Sequence, residues 1–216
     1  MIKHILFDCD GVLVDTEFTA GQVMVEAMKK RGITIELEYF LHHFSGTTFS
    51  AILDVYLGNS LQGNEKDDFI NKLEQKVVAN VDTIQGVKEM LQSITIPMSI
   101  VSNSAIWQVK EEIEQTKIDH YFTGHIFSSE LVENPKPAPD VYNLAVEKLG
   151  LEKTEVLVIE DSITGATAAL AAGLQVIGFA GASHILPGHK KNLLKLGVFQ
   201  VADTMEELGE IINKLV

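Results

Sequence analysis

The chain has 216 residues, 46% of them hydrophobic and 22% charged, and carries a formal net charge of −13. That length accommodates a core domain plus a smaller insertion, while the acidic balance, with no basic stripe, excludes a broad nucleic-acid or anionic-membrane surface. The single cysteine, Cys9, excludes an internal disulfide framework and a cysteine-ligated metal site, as expected of a protein kept in a reducing cytoplasm.

The first apolar run, Ile2 to Phe7, is predicted to be a buried strand. It is too short for a secretion signal and meets Asp8 and Asp10 almost at once. Side chains alternate along extended backbone, so two acids two positions apart face the same way, and Gly11 then lets the chain turn and a ligand come close. From residue 16 to 82 the pattern becomes almost wholly helical, with Met24 and Met28 one turn apart, Gly32 as a stop, and helices expected near Phe49 to Leu57 and Glu65 to Val78. This segment reads as a helical cap inserted after the first strand, leaving 1–15 and 83–216 as the core. The two crossings, near Asp15 to Glu17 and Val81 to Gly86, would act as a paired hinge.

Further short apolar runs lie at Ile96 to Val101, Ile126 to Phe127, Val156 to Ile159 and Val176 to Phe179. Helical patterns at Ile106 to Gln115, Pro139 to Leu149 and Ile163 to Ala172 separate them, the last with Ser162 as N-cap and Gly173 just past its end. Continuous apolar strands alternating with helices imply an α/β fold with a doubly wound parallel sheet covered on both faces. Ala166 to Ala182 reads as an Ala-rich helix and a strand, with no membrane span.

Polar residues cluster where strands end: Ser102 and Asn103 after the second, Glu160 and Asp161 after the fourth, with Lys136 between two prolines ahead of a helix. In open α/β sheets ligands bind outside the carboxyl ends of the strands, so these residues and Asp8 and Asp10 are expected to share one pocket. Carboxylates of Asp8, Asp161 and Glu160, with Asp10 through its main-chain carbonyl, suit Mg²⁺. Lys136 would offset phosphate charge, and Gly11, Ser102 and Asn103 would surround the phosphate. Asp8 would attack phosphorus, and Asp10 would protonate the leaving alcohol and later activate water.

The motifs Phe-Asp-Cys-Asp-Gly-Val-Leu-Val-Asp-Thr-Glu, Val-Ser-Asn-Ser, Pro-Lys-Pro-Ala-Pro-Asp and Ile-Glu-Asp-Ser-Ile-Thr-Gly-Ala, in this order, resemble the haloacid dehalogenase superfamily over nearly the whole chain. The helical insertion is similar to that of subfamily IA, which includes β-phosphoglucomutases and many sugar-phosphate phosphatases. Within it the Asp-Cys-Asp variant, Phe44-Ser45-Gly46 and the segment from Ser93 to Met98 are similar to 6-phosphogluconate phosphatases. The resemblance implies a cytoplasmic, Mg²⁺-dependent phosphatase of small phosphate esters, monomeric or at most weakly dimeric, with no nucleic-acid or membrane partner. Its alternatives are a phosphomutase and a silent binding protein on the same fold. Where mutase relatives carry a histidine near the cap, this chain has Ala20, which favours the phosphatase.

Substrate selection is expected from the cap segment 42–50, where Ser45 and Thr47 offer hydroxyls and Gly46 offers room. His42 and His43 beside it are left open as substrate contacts. Trp107 is expected to pack in the core or at the rim. Flanking acids should push the Cys9 thiol up, and His184 and His189 are given no role in a surface loop.

Overall fold

The computed structural model describes residues 1–44, 47–122 and 125–216, without the side chains of His42 and Asn59. Six strands, β1 (His4–Phe7), β2 (Met98–Ser102), β3 (Ile126–Ser128), β4 (Val156–Glu160), β5 (Gln175–Phe179) and β6 (Gln200–Ala202), form one parallel sheet in the order β3-β2-β1-β4-β5-β6. The expected fold class is therefore observed. β6 was not foreseen, because its three residues carry little apolar signal beyond Val201.

Both faces of this sheet are covered, which accounts for its continuous apolar strands. Ile5, Phe7, Leu157 and Ile159 face a core shared with α5 (Val87–Ser93), α6 (Ile106–Gln115) and α10 (Met205–Asn213). Leu6, Val156 and Val158 face the opposite core, shared with α7 (Asp140–Leu149), α8 (Ile163–Ala171) and α9 (His189–Leu196). The polar residues inside the strands satisfy one another: His4 Nε2 and Ser99 Oγ lie 2.9 Å apart across β1 and β2. Ser162 caps α8 by accepting from the Gly165 amide, and Gly173 follows the helix with φ of +77°, as its sequence predicts.

Between β1 and α5 stand α1 (Thr16–Lys29), α2 (Leu37–Phe44), α3 (Phe49–Leu57) and α4 (Gly63–Asn80). Met24, Met28, Phe40, Ile52, Leu53 and Leu73 pack into a third hydrophobic cluster of their own. The two connecting segments run side by side: the Asp15 amide donates to Asp82 O at 3.0 Å and the Ile84 amide to Leu13 O at 3.2 Å. None of the described helices is long and apolar enough to cross a membrane.

In this strand order the chain leaves β1 toward β2 and β3, then returns to β4 on the other side of β1. The carboxyl ends of β1 and β4 thus flank the reversal point where ligands gather in such sheets.

Candidate active site

The strand ends deliver all but one of the expected polar residues into one cavity of about 520 Å³; Glu160 is fully buried and does not line it. β1 presents Asp8 and Asp10, β2 presents Ser102 and Asn103, and β4 presents Asp161, while the 134–139 loop brings in Lys136. Lys136 Nζ donates to Asp8 Oδ1 at 2.6 Å, Glu160 Oε1 at 2.7 Å and Val101 O at 2.8 Å, which uses all three of its protons. Asn103 fixes the loop that carries it, accepting from the Lys136 amide at 3.0 Å and donating to Lys136 O at 3.2 Å. The Asn103 side chain is thus engaged in holding Lys136, while the residue still lines the cavity.

Glu160 is fully buried and its two oxygens are saturated. Oε1 accepts from Lys136 and from Tyr142 Oη at 3.0 Å; Oε2 accepts from the Ser162 amide at 3.2 Å and Ser162 Oγ at 3.0 Å. A Cβ on Gly165 would collide with that carboxylate, so the first turn of α8 needs glycine there. Asp10 is held differently. Its Oδ2 accepts from Ser104 Oγ at 2.8 Å, with Ser102 Oγ at the 3.5 Å limit.

Burial raises the Asp8 carboxyl well above its ordinary range, and Glu160 adds to this more than Lys136 takes away. Burial also raises Asp161. For Lys136, burial pulls the ammonium down, yet Asp8 and Glu160 outweigh it and the group rises, remaining charged. Oxygens of Asp8, Glu160 and Asp161 lie within 4.8 Å of one another, all buried, with one ammonium among them. Three close carboxylates in excess of the local positive charge form an oxygen-only donor set, which fits a hard divalent cation.

Gly11, with φ of +78°, abuts Asp161: a Cβ there would enter the Asp161 carboxylate and come within 2.9 Å of His184 Cε1. Its glycine is needed for this close packing. Thr47 is exposed and does not line the cavity, Ser45 and Gly46 lie outside the described residues, and so does the His42 side chain. His43 Nδ1 lies 2.9 Å from Tyr39 O, with its ring stacked on Tyr39. Trp107 is 48% exposed at the start of α6 and is not a core residue, nor does it line the cavity.

Cys9 is fully buried with Sγ 3.6 Å from Glu112 Oε2, and burial, ahead of the charges of Asp10 and Glu112, raises its thiol well above the usual value. Sequence reasoning missed four participants. Tyr142 lies on α7 with only helical periodicity to mark it, whereas Ser104 sits inside the Val-Ser-Asn-Ser motif and was within reach. His184 and His189, given no role, line the cavity.

A family model described as haloacid dehalogenase-like hydrolase matches residues 5–179. The chain belongs to this family. Among its relatives, the 6-phosphogluconate phosphatase of Escherichia coli is 27% identical over 86% of both chains. The phosphorylated carbohydrates phosphatase of Thermotoga maritima is 28% identical over 99% of this chain and 98% of its own. The solved structure of a haloacid dehalogenase-like protein of unknown function from Agrobacterium tumefaciens superposes with a TM-score of 0.83 at 34% identity, covering 100% and 99% of the two chains. Within the haloacid dehalogenase-like hydrolases the chain is a phosphoric monoester hydrolase, with phosphatases among its full-length relatives.

Proposed function

We propose that this hydrolase is a Mg²⁺-dependent phosphatase of small phosphorylated metabolites, sugar or sugar-acid phosphates, that works through an aspartyl phosphate on Asp8. The observation that carries the reading is the buried Lys136 ammonium between Asp8 Oδ1 and Glu160 Oε1, with Asp161 in the same oxygen cluster. Asp8, Asp161 and the main-chain carbonyl of Asp10 would hold the cation, with Glu160 behind them. When bound, such a cation supplies Lewis-acid neutralisation of phosphate charge.

Asp8 attacks phosphorus as its ester P–O bond breaks, and Asp10 gives its proton to the departing alkoxide. Asp10 then takes a proton from the incoming water, whose oxygen attacks phosphorus. The bond to Asp8 breaks, inorganic phosphate leaves, and the carboxylate is regenerated. Lys136 keeps Asp8 aimed and offsets repulsion between the attacking carboxylate and the phosphate dianion. Ser104 orients Asp10, with Ser102 at the limit of hydrogen-bond range, and Ser102 faces the phosphate in this reading.

Residues 16–82 form the cap in this reading, and the segment 42–50, with Ser45, Gly46 and Thr47, meets the leaving group when the cap closes. The sugar-phosphate class is supported by the two phosphatases named above. The enzyme would act in the cytoplasm, as a monomer or weak dimer, on a diffusible ester. Hydrolysis of an aryl phosphate, followed by a sugar-phosphate panel, tests this with and without Mg²⁺ and chelator. Release of phosphate only with Mg²⁺ is expected. Equal release after thorough chelation, or none from any ester, would contradict the reading.

A further inference from the structure

We propose that His184, in the segment between β5 and α9, is a positioning residue. Its Nε2–H donates to Asp161 Oδ2 and holds that carboxylate in the orientation in which it binds a divalent cation beside Asp8. The inference rests on the metal reading given above.

The carboxylates of the cluster are held in different ways. Glu160 has four donors across its two oxygens. Asp161, among the described residues, has one side-chain partner, His184 Nε2 at 3.2 Å from Oδ2, and both side chains are largely buried. A carboxylate with a single donor rotates unless that donor is itself fixed, so the placement of the imidazole decides where the other oxygen points.

The imidazole is fixed from two directions. Its Cε1 packs against Gly11, where even a methyl group would come within 2.9 Å. The same loop leads into a second histidine at the start of α9: His189 Nε2 lies 2.5 Å from Asp161 O, so this segment bonds to the main chain and the side chain of Asp161. Nδ1 of His184 is buried and has no hydrogen-bond partner among the described residues. Leaving a buried polar atom unpaired is costly, so the ring is placed at the expense of its own satisfaction. Its directional bond is the one to Asp161. Holding Oδ2 sets the rotation of the whole carboxylate, and with it how Asp161 meets the oxygens of Asp8 and Glu160.

Outer partners of metal-binding carboxylates are typically worth about 10–100-fold in metal affinity or activity. Calorimetric titration of the full-length chain with Mg²⁺ tests the assignment on wild type, His184→Ala, His184→Phe and His184→Gln, each checked for folding by circular dichroism. The alanine and phenylalanine variants should bind Mg²⁺ about 10–100-fold more weakly, the second while keeping a ring in place. The glutamine variant, whose amide donates to the same oxygen, should stay within about threefold of wild type. In turnover, the Mg²⁺ concentration for half-maximal rate should move by the same factor while the rate at saturating Mg²⁺ is largely retained. Unchanged or tighter binding by folded His184→Phe, or a loss in His184→Gln as large as in His184→Ala, would overturn the role. Wild type that binds no Mg²⁺ would instead sink the metal reading itself, and the inference with it.

Discussion

Lys136 Nζ lies 2.6 Å from Asp8 Oδ1 and 2.7 Å from Glu160 Oε1, so one buried ammonium ties the end of β1 to the end of β4. The two strands already pair along their length, and the Asp8 amide donates to Ile159 O at 2.9 Å. Lysine is therefore not needed to hold the sheet. It neutralises acids that the strand ends force together.

Removing it should cost both activity and stability. Truncating one partner of a buried ion pair leaves uncompensated charge and typically costs about 3–5 kcal/mol. Lys136→Ala should melt well below wild type, with kcat/KM reduced on the order of a hundredfold or more, the range for losing an electrostatic group at a reacting centre. Mg²⁺ should recover part of the lost melting temperature, because it supplies positive charge to the same carboxylates. Thermal melts with and without Mg²⁺ check this; a variant as stable as wild type would remove Lys136 from the neutralising role.

Glu112 offers a pH-dependent stability prediction away from the reacting atoms. It is fully buried on α6, accepting from Gln108 Nε2 at 2.9 Å, and burial, aided by Asp10, raises its carboxyl from 4.5 to about 8. A group raised in the folded state gives its full stability below the unfolded value and loses it as pH rises through the folded one. Glu112 should therefore weaken the fold progressively between 4.5 and about 8. Glu112→Gln mimics the protonated form. Its melting temperature should exceed wild type by several degrees at about pH 8.5 and match it at about pH 4.5. Parallel pH profiles for the two proteins would contradict a raised Glu112.

Much of this site was legible because strand ends announce themselves. The apolar runs of β1, β2 and β4 stop at Asp8, Ser102 and Glu160 to Asp161, and a parallel sheet gathers such ends at one edge. Lys136 was legible through the prolines around it. His184 was not, because nothing in Gly-Ala-Ser-His-Ile-Leu-Pro-Gly-His has a period, and only the folded chain shows that it returns to Asp161. Glu112 was hidden for the opposite reason: amid Glu111 and Glu114 it reads as one more solvated charge, although the helix turns it inward. Helices α5, α9 and α10 passed unnoticed between stronger signals, the last despite Thr204 capping it and an apolar face of Leu208, Ile211 and Ile212.

The segments that join helices α1–α4 to the sheet predict a closing motion. They pair through Asp15 with Asp82 and Leu13 with Ile84, a narrow two-stranded connection that would serve as the hinge in the reading of residues 16–82 as a cap. Binding of Mg²⁺ with beryllium trifluoride should draw the helices over Asp8, since excluding water strengthens the electrostatics there. Small-angle scattering should report a smaller radius of gyration. The same profile with the analogue demonstrably bound would argue against closure.

Asp8 as nucleophile is the central claim, and chemical trapping tests it most directly. An acyl phosphate is reduced by borohydride to an alcohol, so quenching steady-state turnover with borohydride should convert the side chain at position 8 to that of homoserine, read by peptide mass spectrometry. The conversion should require both substrate and Mg²⁺, should spare Asp10, and should vanish in Asp8→Asn together with turnover, which is expected to fall by about a thousandfold or more. Trapping at another carboxylate, or near-normal turnover by Asp8→Asn, would contradict the account.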